Sequence, residues 1–254
     1  MTTMGCIKRA LCLLTGLLAF AGDSHAERLP FPSVIGYWSF DDVKDSRVPD
    51  GGPYGYHATI MHEGDIVPQP APGIRNNGLH FPSDHRAWVE MDKRLRLEPP
   101  FTIAAWVKVE ANRATMELVG QKAHTARDGI RVVFSARQFR FEYSDGNESC
   151  VVSYDPHLTR PGQWAYVAVT HDGKEIALYV DGQEVKREEA RPMKTGRRAV
   201  LLGNYVLKKD MYRFIGTMDE VVFLREALDS KGIARLGQVL LGSAEVRKPG
   251  AFRR

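Results

Sequence analysis

The chain is poor in cysteine: only three occur in 254 residues. Cys6 and Cys12 fall in the first apolar run, which leaves Cys150 alone in the remainder. One thiol makes no intramolecular bridge, so a disulfide scaffold is excluded. Cys150 stands beside Val151 and Val152 with no base nearby, which suits a strand residue better than a nucleophile. Long apolar runs are also missing. The one near the start, Ala10 to Ala21, falls short of the ~20 residues that span a bilayer, and no later run comes closer. A strong excess of either charge is absent too. Setting aside Lys8, Arg9 and Asp23 leaves 33 basic and 30 acidic residues, and the last ten residues carry that whole surplus. The body from Glu27 to Ala244 is neutral, which argues against nucleic-acid binding.

Catalytic and metal signatures are absent as well. No G-x-S-x-G elbow, H-E-x-x-H pair, phosphate loop or EF-hand spacing occurs. His57, His62, His80 and His85 fall in one region, yet no cysteine joins them and their spacing matches no compact zinc motif. No fixed-period repeat, low-complexity tract or dividing linker is present.

Lys8 and Arg9, the apolar run and Ser24-His25-Ala26 together read as a secretory signal with cleavage after Ala26. The expected organisation is a signal over 1–26, one domain over 27–244 and a basic tail over 245–254. The product would be secreted, periplasmic or held at the cell surface, with no membrane span, and is expected to act as a monomer.

In that domain the strand signal is strong from Gln163 to Gly182, QWAYVAVTHDGKEIALYVDG. Two apolar runs, Trp164 to Thr170 and Glu175 to Val180, flank a loop containing Asp172-Gly173. Such a pair suits a type I′ turn, whose central residues both need positive φ. Ile176, Leu178 and Val180 face one side while Ala177 and Tyr179 face the other, so both faces of this strand are expected to be buried. About a dozen such segments occur, spaced by Gly, Pro and Asp. Pro68 to Pro72 reads as a bridge between strands. Only Ser230 to Leu241 has helical spacing, through Ile233, Leu236, Val239 and Leu240, with Gly232 and Gly237 against it. The expected fold is all-β: a two-sheet antiparallel sandwich with one short C-terminal helix.

An ordered set of motifs supports that architecture. G-Y-W-S-F-D-D, D-S-x-x-x-x-G-G-x-Y-G-x-H-A-T-I, G-L-H-F, W-V-E-M and F-T-I-A-A-W-V-K precede the hairpin. L-L-G-N and F-I-G-T-M-D-E-V-V-F-L-R-E-A-L follow it. Together they resemble the laminin G-like, concanavalin A-type jelly-roll domains of secreted bacterial proteins. The resemblance implies a calcium ion between the acidic end of the first strand and the D-E-V strand. Asp45 and Asp219 are then the expected ligands, with Asp42 next. It also raises glucanase chemistry, but the E-x-D-x-x-E strand motif of laminarinase-type enzymes is missing. The acidic pair Asp219-Glu220 is adjacent in sequence and is expected to face opposite ways. A non-catalytic module binding a glycan in the manner of a lectin is therefore expected. A protein-binding adhesion module is the first rival and a polysaccharide hydrolase or lyase the second. Trp38, Trp106 and Trp164 read as core. Tyr54, Tyr56, Tyr205 and Tyr212 lie in or beside loops, and with Trp88 they are the expected ligand contacts.

Overall fold

The computed structural model describes residues 29–110, 115–134, 138–155, 161–207 and 211–242. The expected signal over 1–26 and the tail over 245–254 lie outside them. In chain order the first strands are β1 (Val34–Trp38), β2 (Arg47–Val48), β3 (Ala58–His62), β4 (Gln69–Pro72), β5 (Asn77–Phe81) and β6 (Ala87–Glu90). Next come β7 (Phe101–Val109), β8 (Met116–Gly120), β9 (Ile130–Phe134), β10 (Phe139–Ser144) and β11 (Ser149–Tyr154). The last are β12 (Trp164–His171), β13 (Glu175–Val180), β14 (Gln183–Glu189), β15 (Leu201–Leu202) and β16 (Gly216–Leu224), followed by helix α1 (Ser230–Leu240).

They form two sheets in which every pairing is antiparallel. The first runs β14-β13-β12-β7-β16-β5-β4, with β1 also on β16; the second runs β11-β10-β9-β8-β15-β6-β3-β2. Between them lies a core that includes Trp38, Phe81, Ile103, Phe134, Phe141, Val169, Leu178 and Phe223. The fold is the expected two-sheet sandwich with one short helix.

A second apolar layer covers the far side of the first sheet. Ile233, Leu236 and Leu240 of α1, with Phe31 and Tyr37, pack on Ala104, Tyr166, Ala168, Ala177, Tyr179 and Val222. The two faces of β13 are explained by this: Ile176 and Leu178 enter the inter-sheet core while Ala177 and Tyr179 meet the helix layer. Gly237 permits the close approach, since a Cβ there would sit 2.8 Å from the Tyr166 ring. Asp229 caps the helix, its Oδ1 accepting from the Gly232 N–H at 2.7 Å.

Local details depart from expectation. At Asp172 the side chain, not a left-handed backbone, makes the turn: Oδ1 accepts from the N–H groups of Lys174 and Glu175 at 2.7 and 2.6 Å. In this region a two-residue turn with both φ positive falls instead at Asp181 (φ 48°) and Gly182 (φ 79°), between β13 and β14. The proline-rich bridge is in part a strand, β4, tolerated because it is the sheet edge and needs few N–H donors. β14, whose sequence is QEVKREE, escaped the apolar pattern because an edge strand has little to bury and its charges discourage further pairing.

Candidate functional site

With the far side of the first sheet covered by α1, the outer face of the second sheet is the exposed candidate. Alternation on β9 sends Ile130, Val132 and Phe134 into the core, so Arg131 points outward; Glu142 on β10 is its cross-strand partner. On β8 a register shift between Glu117 and Val119 brings Glu117 to the same place. Arg131 Nε and Nη2 donate to Glu117 Oε1 and Oε2 at 2.9 and 2.7 Å, and Nη1 donates to Glu142 Oε2 at 2.8 Å. Glu142 Oε1 lies 2.9 Å from Arg140 Nε. Burial acts to lower the Arg131 pKa, but the hydrogen bonds and charges of Glu117 and Glu142 outweigh it and hold the guanidinium protonated.

Three rings close over this network. The Arg131 guanidinium lies 5.2 Å from the Tyr205 ring and 5.6 Å from the Tyr212 ring. His124 stands 5.2 Å from Tyr205 and 5.4 Å from Tyr212, and the two tyrosines are 5.4 Å apart, edge to face. The backbone holds them there. Glu117 N–H donates to the Tyr212 carbonyl at 2.7 Å, and His124 N–H donates to the Tyr205 hydroxyl at 2.8 Å. Tyr212 adopts φ 56°, a left-handed conformation costly for an aromatic residue. His124 Nδ1 accepts from Arg131 Nη1 at 3.2 Å and so carries no proton. Desolvation and then the Arg131 charge lower the His124 pKa, favouring the neutral ring. Below them Lys122, fully buried, donates to the carbonyls of Ala123 and His124 and to Ser149 Oγ at 2.5 Å.

The expected ligand contacts separate into groups. Tyr205 and Tyr212 meet at this site, although Tyr205 is only 4% exposed, packed under the loop where a projecting ring was expected. Trp88 is on the same sheet, in β6, and is buried at 9% exposure; its cross-strand partner Met61 is the exposed residue there. Tyr54 and Tyr56 stack on each other at 5.5 Å in the connection between β2 and β3, with Arg94 over Tyr56. Asp50 organises that connection by accepting from the N–H groups of Tyr37, Gly52 and Tyr56. Sequence reasoning passed over Glu117, Arg131, Glu142 and His124. The available signal was a charged residue inside an otherwise apolar strand, as in MELVG and IRVVF.

The acidic residues expected to hold calcium also divide. Asp42 and Asp45 are exposed, and Asp45 (φ 48°) with Ser46 (φ 64°) forms a two-residue turn between Lys44 and Arg47. Asp219 is fully buried, its Oδ2 accepting from Ile74 and Arg75 N–H at 2.8 and 3.2 Å and its Oδ1 from Glu220 N–H at 2.8 Å. A register shift between Asp219 and Val222, with Glu220 at φ 52°, breaks the alternation that would have opposed the two acids. Glu220 takes a 2.6 Å hydrogen bond from the Tyr37 hydroxyl, while its buried Oε1 has no hydrogen-bond partner among the described residues. Burial raises the Asp219 pKa to about 7 and the Glu220 pKa to about 8, with the Asp41 charge adding to both. Asp41 is tied to Asn77 N–H at 3.0 Å, in the same turn that binds Asp219. Among the described residues no group of three or more His, Cys, Asp or Glu side chains is arranged to hold a metal ion. The orphaned Glu220 oxygen beside Asp219 and Asp41 is the feature here that suits a hard cation.

Comparison with known proteins agrees with the fold. The model of the concanavalin A-like lectin/glucanases superfamily matches residues 84–234, and the chain belongs to that superfamily. No curated protein matches it. Among solved structures, the chain is similar to domain 4 of AbnA, an extracellular arabinanase from Geobacillus stearothermophilus, in complex with arabinotriose. That likeness is at 19% identity and TM-score 0.62, covering 81% of this chain and 98% of that one. It is also similar to the receptor-binding domain of botulinum neurotoxin mosaic serotype C/D, at 15% identity and TM-score 0.61. A further likeness is to the botulinum neurotoxin DC binding domain in complex with rat synaptotagmin II, at 14% identity and TM-score 0.60. Each toxin alignment covers 82% of this chain, which spans about half of the toxin chain, 51% and 52% respectively.

Proposed function

We propose that this member of the concanavalin A-like superfamily is an exported, non-catalytic module that binds a glycan on the outer face of its second sheet. The contact residues are Tyr212 and His124, backed by Tyr205 and Arg131. The observation that carries this reading is the strained Tyr212 backbone, φ 56°, which sets a half-buried aromatic ring against the exposed His124. Sugar rings present C–H faces that pack on such rings, and neutral His124 adds a hydrogen-bonding edge. The arabinotriose held by domain 4 of the arabinanase lends support to a glycan, and the export signal read at 1–26 supports action outside the cell. Among the described residues no helix is long and apolar enough to cross a membrane.

The same network argues against hydrolysis. A retaining or inverting pair needs one carboxyl free to donate and another free to attack or activate water. Both Glu117 oxygens are taken by Arg131, and both Glu142 oxygens face arginines. Calcium, in this reading, sits at the Asp219–Glu220 pair, on the unpartnered Glu220 oxygen, with backbone carbonyls and water completing its shell, and the exposed Asp42 and Asp45 lie apart from it. It would neutralise buried carboxylates and fasten the 73–77 turn to β16.

A glycan array, run with and without chelator, tests the binding. Retention of at least one glycan, lost in Tyr212→Ala, is expected; silence on every sugar in both conditions discards the reading. A pulled-down surface protein whose capture survives deglycosylation would favour the adhesion alternative. For calcium, the melting temperature is expected to rise with the ion and to stop responding in Asp219→Ala; identical melting in both buffers removes it.

A further inference from the structure

We infer that the glycan is acidic, a polysaccharide bearing carboxylate or sulfate groups. This rests on the glycan reading above and names its ligand class. The observation is a segregation of charge. The body of the chain is neutral, yet residues 190–199, ARPMKTGRRA, carry Arg191, Lys194, Arg197 and Arg198 with no acid. That segment connects β14 to β15 and is bound to the wall of the aromatic site. Gly129 N–H donates to the Lys194 carbonyl at 2.9 Å, Lys194 N–H donates to the Ser144 carbonyl at 2.7 Å, and Gln121 Nε2 donates to the Arg198 carbonyl at 2.9 Å. The loop 121–129 thus has His124 against the two tyrosines and the basic segment fastened to its base.

Acids neutralise only part of this set. Arg197 pairs with Asp128 at 3.1 Å, and Arg191 pairs with Asp145 at 3.2 Å and with Glu148. Arg127, Lys194 and Arg198 are exposed and have no side-chain hydrogen bond or ion pair among the described residues. Long cationic side chains left without acids, one on the His124 loop and two on the segment bonded to that loop's base, suit a chain whose rings stack while its anions pair. The three cations would attract such a polymer before contact and hold it through exposed, salt-sensitive pairs. A neutral sugar makes no use of them.

The test measures binding of four polymers by the full chain: polygalacturonate, heparin, dextran and poly-glutamate. Polygalacturonate or heparin is expected to bind, and the stronger of the two identifies the anionic group as carboxylate or sulfate. Affinity should fall by about tenfold or more in Arg127→Ala/Lys194→Ala/Arg198→Ala, whose surface positions leave melting unchanged. It should fall again between about 0.1 M and about 1 M salt, where the screening length contracts from ~10 Å to ~3 Å. Dextran bound as well as the acidic polymers, indifferent to salt, overturns the inference and leaves glycan binding standing. Poly-glutamate bound equally, with Tyr212→Ala without effect, reduces the patch to charge alone and overturns it as well. Failure of both acidic polysaccharides overturns the inference, while the glycan reading itself falls only if the array is silent as well.

Discussion

Arg131 and Glu117 form a two-pronged ion pair, at 2.9 and 2.7 Å, in which neither side chain has any exposed surface. Such a pair is weak evidence for net stability but costly to break from one side. Glu117→Ala leaves Arg131 buried with only Glu142 and is expected to lower unfolding free energy by about 3–5 kcal/mol. The double variant Glu117→Leu/Arg131→Met removes both charges and should lose less than the two single changes add up to. Urea unfolding of the three proteins checks this, and strict additivity would show that the partners do not depend on each other.

Tyr212 separates strain from recognition. Glycine enters φ 56° freely, so Tyr212→Gly relieves backbone strain while deleting the ring. Stability is expected to stay within about 1 kcal/mol of wild type, since the gain and the lost packing oppose each other. Glycan binding should vanish. A variant that still binds would move the contact surface away from Tyr212.

His171 predicts the acid behaviour of the core. It is fully buried, its Nδ1 accepts from Gly173 N–H at 3.0 Å, and Nε2 has no hydrogen-bond partner among the described residues. The Phe101 and Tyr143 rings pack on it at 5.5 and 5.7 Å. Burial lowers its pKa to about 4, against a smaller opposing effect of the Asp172 charge. The unfolded chain therefore binds a proton near pH 6.5 that the folded chain refuses until about pH 4. The contribution is complete above the unfolded value and is lost as pH falls through that window, by about 3 kcal/mol in full. Unfolding free energies of wild type and His171→Asn, compared from neutral to acid pH, should converge as the pH drops. A constant difference rules the histidine out as the cause.

Gly36 lies under its own strand neighbour. A Cβ there would sit 2.8 Å from Cζ2 of Trp38, whose ring is fully buried and donates from Nε1 to the Tyr56 carbonyl at 3.1 Å. Gly36→Ala is expected to cost about 1–3 kcal/mol by overpacking, with Trp38→Phe restoring part of the loss in the double variant. Thermal melting of the four-member cycle measures the coupling.

Much of the fold was legible because strand periodicity and turn chemistry are local. Phe101 to Val109 needs only its own nine residues to be read as a strand, and α1 appears from four apolar positions. Weak spots arose where a strand had little to bury, as in β14, or where an edge position excused prolines, as in β4. The site was less legible. Tyr205 and Tyr212 stood out as loop aromatics, but nothing local marks one as sealed under a loop and the other as held open by its backbone. Trp88 read as an edge residue and is packed down instead.

The sequence by itself determined the sandwich, the helix and the want of a disulfide or strand-borne catalytic motif, because each follows from spacing within one segment. Only the tertiary structure decided that Glu117, Arg131 and Glu142, on three strands, share one buried network. It also decided that Asp219 and Glu220 escape opposite faces. Both depend on register shifts, which move side chains by one position in response to the neighbouring strand. Cross-strand register is a property of the pair, and neither partner's sequence contains it alone.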